Sequence, residues 1–124
     1  MSFNTPISKV RGLGSARNGT HHWWMQKIAA VALIPLTIWF VASIVQMTNA
    51  DYFTVRTWLS SPIPAILMLI YIVIAIYHLR LGLQAIVEDY IHSEGMKVGL
   101  QFSILFGCTI IAVASIFSVL KIAL

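Results

Sequence analysis

Apolar residues run almost unbroken through three stretches of the chain, and polar residues gather before and between them. Residues 28–50, 57–79 and 98–120 each make 23 positions without Asp, Glu, Lys or Arg, and His78 is the one interruption. At a rise of about 1.5 Å per residue each stretch is roughly 34 Å long, enough for a hydrocarbon core of about 30 Å. The pattern predicts an all-α fold with three transmembrane helices. It divides the chain into a polar N-terminal segment, 1–23, and a three-helix transmembrane domain, 24–124, with spans about 26–48, 62–87 and 98–121. The linkers NADYFTVRTWLSSP (49–62) and EDYIHSEGMK (88–97) carry the polar, proline, glycine and acidic residues expected at a membrane surface. Pro35 falls inside the first span, where a kink is tolerated.

Composition supports this reading. The chain has 124 residues, 59% hydrophobic and 10% charged, too little polar surface to cover a water-soluble globule and no length for a separate catalytic domain. The formal charge is +4, and Lys9, Arg11, Arg17 and Lys27 all precede the first span. That bias indicates orientation in a membrane and no nucleic-acid partner. It places the N-terminus in the cytoplasm or matrix, 49–62 outside, 88–97 inside and Leu124 outside. The acids Glu88, Asp89 and Glu94 weigh little in that rule. Residues 1–23 hold no apolar run of the secretory kind and read as a polar cytoplasmic tail. Cys108 is the single cysteine, which leaves no internal disulfide and no CxxC pair. Trp23, Trp24, Tyr52, Trp58 and Tyr90 flank the spans as interfacial anchors, and Ala114 with Ser118 makes a small-residue pair suited to helix packing.

The second span carries the candidate chemistry. His78 precedes Tyr90 by 12 residues, so with Tyr90 at the inner interface the imidazole lies about 18 Å along the helix, near the bilayer midplane. An ionisable group at that depth is costly and is kept where it has a partner. At 100° per residue the face centred on His78 also holds Tyr71, Ala75, Gly82, Ala85 and Asp89, so its near neighbours are small. Two readings follow. A haem fits between helices with the imidazole on its iron, and the other axial ligand then comes from another chain. Alternatively, the small residues let a second helix approach and His78 hydrogen-bonds across to it. Arg80 points roughly 200° away and reads as a snorkelling or partner-paired cation, with an indirect reach to a haem propionate as the other reading.

The string H-x-x-x-G-x-x-x-x-x-x-D-Y, formed by His78, Gly82, Asp89 and Tyr90, together with RNGTHHWWMQK at 17–27, resembles the smaller hydrophobic membrane-anchor subunits of succinate dehydrogenase, respiratory complex II. These motifs cover residues 14–92, while the third helix matches only in length and apolarity. The resemblance implies a three-helix anchor packed with a second three-helix anchor of the cytochrome b556 type. It also implies an iron–sulfur subunit and a flavoprotein that oxidises succinate to fumarate, in the tricarboxylic acid cycle and the respiratory chain. No dicarboxylate chemistry would fall to this chain. By the same resemblance His78 is an axial ligand of haem b, Tyr90 hydrogen-bonds a carbonyl of ubiquinone or another quinone, and Asp89 supports that site. His21 falls on the family's histidine near the haem propionates, and Lys27 stands where the family places an arginine, which keeps the charge but loses the bidentate fork. The implied location is a bacterial, or mitochondrial, inner membrane. A fumarate-reducing anchor working in the opposite direction and a cofactor-free structural membrane protein are the competing readings.

Overall fold

The computed structural model describes Pro6 and residues 16–124, with side chains at Pro6 and from Thr20 onward. The basic residues Lys9, Arg11 and Arg17, which bear on orientation, lie outside the side chains described. The described residues form four helices, α1 (Ala16–Gln46), α2 (Tyr52–Ser60), α3 (Pro62–Tyr90) and α4 (Glu94–Ala123), and no strand. Three of them, over Thr20–Gln46, Pro62–Tyr90 and Glu94–Ala123, are long and apolar enough to cross a membrane. Their cores are rich in Ile and Val, mediocre helix formers in water. In lipid the backbone must satisfy its own hydrogen bonds, and that demand overrides the weak propensity.

Local chemistry sets the ends. Pro62 opens α3 at a position where its missing N–H costs nothing, and Ser61 serves as both the cap that ends α2 and the residue that starts α3. α1 continues through Pro35 and begins at Ala16, inside the segment expected to be a polar tail. The segment 49–62, read from its polar, aromatic and proline residues as a linker between spans, contains α2. The Asp51 carboxylate accepts from the Thr54 backbone N–H at 2.9 Å and from the Thr54 hydroxyl, which satisfies the open first turn. These bonds, the hydroxyl's foremost, hold the Asp51 carboxyl below its ordinary range. Trp58 stacks on Trp39 of α1 at 5.9 Å and Leu59 is buried, so α2 lies against the transmembrane helices.

α3 occupies the middle of the molecule. α1 packs along one side of it and α4 along the other, while α1 and α4 do not meet among the described residues. The result is a row of three helices, and α2 bridges α3 and α4 at one end. Buried positions are few and small: Ala29, Ser43, Leu81, Val87, Cys108 and Val119 are among them, and no large side chain is fully enclosed. Ile34, Ile38, Val45, Ile110 and Phe117 are exposed, as expected of surfaces that meet lipid or another apolar chain.

Candidate functional site

The face of α3 that carries His78 lies against α1. At one end the Tyr71 hydroxyl is 3.3 Å from that of Thr37, and the Tyr71 ring stacks on Phe40 at 5.0 Å. At the other end a Cβ at Gly82 would sit 4.0 Å from Nε2 of Gln26. Both contacts belong to one antiparallel register, which puts His78 level with Ala30. His78 is half-buried, its Nδ1 is buried without a hydrogen-bond partner, and the imidazole bonds to none of the described residues. Beside it runs a cleft of about 180 Å³ lined by Met25, Ala29, Ala32, Ile74 and Tyr77, and His78 is not part of that lining. Among the described residues no group of three or more His, Cys, Asp or Glu converges, so the chain offers isolated donors and no self-sufficient metal cage.

Asp89 and Tyr90 close α3 and are exposed, Tyr90 at 75%. The helix stops just beyond them, where the Ile91 N–H bonds the Val87 carbonyl at 3.1 Å. On α1, His22 stands one turn before Gln26 and shares its α3-facing side. It is half-buried with Nε2 enclosed and unpartnered, at a level between His78 and Tyr90. His21 and Lys27 are exposed on the flanks away from α3, and the Lys27 ammonium sits 5.5 Å from the centroid of the Trp23 ring. The resemblance assigns His21 to the propionate region and leaves His22 as a residue that lines the interface, whereas in the structure His22 and Gln26 are the ones on the α3-facing side of α1. The spacing of His22, Gln26 and buried Ala29, at i, i+4 and i+7, is the signal that marks the inward face.

Arg80 lies on the opposite side of α3. With Gln84 it meets Val98, Gln101, Phe102 and Leu105 of α4 around a cleft of about 220 Å³. The guanidinium makes no hydrogen bond or ion pair with any described residue. Gln84 donates to Glu88 at a long 3.5 Å. His78 and Arg80 thus lie on two different seams of one helix, and Gln101 belongs to the second.

Comparison with known proteins agrees with this architecture. The family described as succinate dehydrogenase/fumarate reductase transmembrane subunit matches residues 1–117. The succinate dehydrogenase hydrophobic membrane anchor subunit of Rickettsia bellii is 32% identical over 120 residues, covering 97% of this chain and 88% of that protein. The subunit of the same name from Paracoccus denitrificans is 30% identical over 114 residues, covering 92% of this chain and 88% of that protein. The succinate dehydrogenase membrane anchor subunit of Reclinomonas americana is 29% identical over 85 residues, covering 66% and 71%. No solved structure matches the chain. With the match spanning all but the last few residues and the three apolar helices in place, the chain belongs to the family of succinate dehydrogenase/fumarate reductase transmembrane subunits.

Proposed function

We propose that this chain is a membrane anchor of a succinate:quinone oxidoreductase that supplies a haem b axial ligand from His78 and one wall of the quinone site from Tyr90 and Asp89. One observation carries the reading. His78 stands deep in the second span with no hydrogen bond to any described residue and with Nδ1 enclosed, whereas the helix-packing alternative requires a bond across to α1. A lone unpartnered imidazole at that depth calls for a partner from outside the chain.

The residues present fit a haem. The His78 imidazole would offer one nitrogen to iron, Ala75, Gly82 and Ala85 keep that face of α3 low, and the row of helices leaves a side open for a second anchor that would hold the group from across. When bound, haem b supplies a one-electron redox centre within the membrane. His78 would hold and orient it from α3. Lys27, and His21 at the start of the span, stand on flanks of α1 turned from α3, where their charge and donors would serve propionates. Lys27 does so as a single ammonium without a bidentate fork.

At the helix end, the Tyr90 phenol donates a hydrogen bond to a carbonyl of ubiquinone or another quinone, and Asp89 orients it and shapes the local potential. Quinone reduction takes two electrons and two protons, and an exposed helix terminus is where water delivers the protons. The flavoprotein and iron–sulfur partners oxidise succinate and pass its electrons inward, and the second anchor completes both sites. The setting is an inner membrane, with the N-terminus on the cytoplasmic or matrix side, as the basic residues before the first span require.

The test is a reduced-minus-oxidised spectrum of the complex purified through this chain. His78→Ala should remove the b-type bands while the flavoprotein still co-purifies. Tyr90→Phe should keep the bands and lower quinone reduction by roughly 100-fold, the scale of a positioned proton donor. A complex with no b-type signal in the first place, or quinone reduction unchanged by Tyr90→Phe, defeats the site assignments. Succinate oxidation and fumarate reduction measured on the same complex decide the direction.

A further inference from the structure

The seam of α3 with α4 carries polar groups that the redox path does not use. Arg80 lies ten residues before Tyr90, about 15 Å along the helix. A 29-residue helix exceeds a core of about 30 Å by about 13 Å, so with α3 centred the Arg80 backbone is roughly 9 Å inside the hydrocarbon. A guanidinium carries five N–H donors and is costly to leave alone at that depth. None of the described residues accepts from it. The nearest acid along that side of α3, Glu88, is two turns away and engages Gln84.

We propose that the Arg80 cleft binds the phosphate of an anionic phospholipid, drawn from the leaflet that borders Tyr90 and the 91–93 turn. Three features define the ligand. Arg80 offers a planar pair of donors that suits a phosphate, and it lines the cleft together with Gln84 and Gln101. The amides of Gln84 and Gln101 lie nearer the membrane surface than Arg80 and line the way in, so a headgroup meets donors at successive depths. The remaining wall is apolar and continues outward over exposed Phe102 and Phe106, whose rings stack at 6.3 Å, a surface for acyl chains. At the mouth, Glu94 and Lys97 in the first turn of α4 carry opposite charges and Glu88 in the last turn of α3 takes the Gln84 amide, so Arg80 is the one cation at depth among the residues that line the cleft. A cation with amide donors between transmembrane helices is a setting in which a lipid phosphate binds. A free anion would gain nothing from the apolar wall.

The experiment uses the purified complex that contains this chain, washed in detergent until bound lipid is lost. It is then given phosphatidylglycerol, phosphatidylcholine or inorganic phosphate, and bound lipid is counted by native mass spectrometry. The wild type should recover one phosphatidylglycerol per copy at a site that phosphatidylcholine does not fill and inorganic phosphate does not clear. Arg80→Gln should weaken that retention by about tenfold or more, the loss of a charge-assisted hydrogen bond, with Arg80→Lys in between. Gln101→Leu removes only an amide from the wall and should also lower retention, which keeps the test alive if Arg80→Gln fails to assemble. Equal retention in Arg80→Gln and wild type overturns the proposal. So does displacement by inorganic phosphate. Loss of a protein subunit from Arg80→Gln, with no anionic lipid on the wild type, also overturns it by assigning the guanidinium to a protein carboxylate. The readout is independent of haem and quinone, so its failure leaves the reading of His78 and Tyr90 untouched.

Discussion

Gly82 holds its place in α3 with open space in front of it, since a Cβ there would meet only Gln26 Nε2, at 4.0 Å. That is ordinary van der Waals contact, so Gly82→Ala is expected to fold and to gain about 0.5–1 kcal/mol from reduced backbone freedom. Gly82→Phe fills the space opposite Gln26 and should lower the thermal midpoint of the complex. A stability curve for both variants checks the pair, and a destabilised alanine variant would mean that something outside this chain packs on Gly82. Asp51 shows the reach of a single surface carboxylate. Its ionised form accepts both Thr54 bonds, and its native pKa is lowered. The stabilisation is therefore complete above the ordinary aspartate pKa of about 3.9 and disappears as pH falls through the lowered native value. Amide exchange in α2 should be faster in Asp51→Ala than in wild type near neutral pH, with the difference vanishing in strong acid. Among individual residues, the depth of His78 and its distance from Tyr90 were readable because both lie on one helix and the rise per residue sets their separation. The spacing of His22 with Gln26 and Ala29 marks one face of α1, but only the packing of α3 makes that face the inward one.

The α1–α3 seam is held by specific contacts between helices far apart in the chain. The Tyr71 hydroxyl bonds Thr37, and its ring stacks on Phe40. A hydrogen bond between membrane helices contributes about 0.6 kcal/mol on average, so Tyr71→Phe should cost about that much. Tyr71→Ala loses the stack as well, a further 0.5–1.5 kcal/mol or so beyond the lost area. Unfolding of the complex in a graded detergent mixture measures both, and equal costs for the two would show that the ring contact contributes nothing. α2 is the element that sequence pattern missed. The run 49–62 mixes polar, aromatic and proline residues without an apolar period, which reads as linker. Its helix depends on the Asp51–Thr54 cap, on Trp58 stacking against Trp39 and on Leu59 buried beneath it, and two of those three are tertiary contacts.

Across the whole molecule, three helices are long and apolar enough to cross a membrane, and the orientation proposed here, with the N-terminus inside and the chain ends on opposite sides, rests on the basic residues that precede the first apolar run. A reporter joined after Leu124 should be active only outside, and one at the N-terminus only inside. Matching behaviour at the two ends would remove one span from the count. The number of spans and the position of His78 within the second were decided by sequence alone, because crossing a hydrocarbon layer is a threshold on local length and apolarity that each segment meets by itself. Tertiary structure decided that α3 stands between α1 and α4, that Gln26 faces Gly82, and that Arg80 opens onto Gln101. Helices in lipid have no burial of apolar area to orient them, so close approach at small residues and a few polar and aromatic contacts select the faces that meet, and those contacts join residues too distant in the chain for any local pattern to pair.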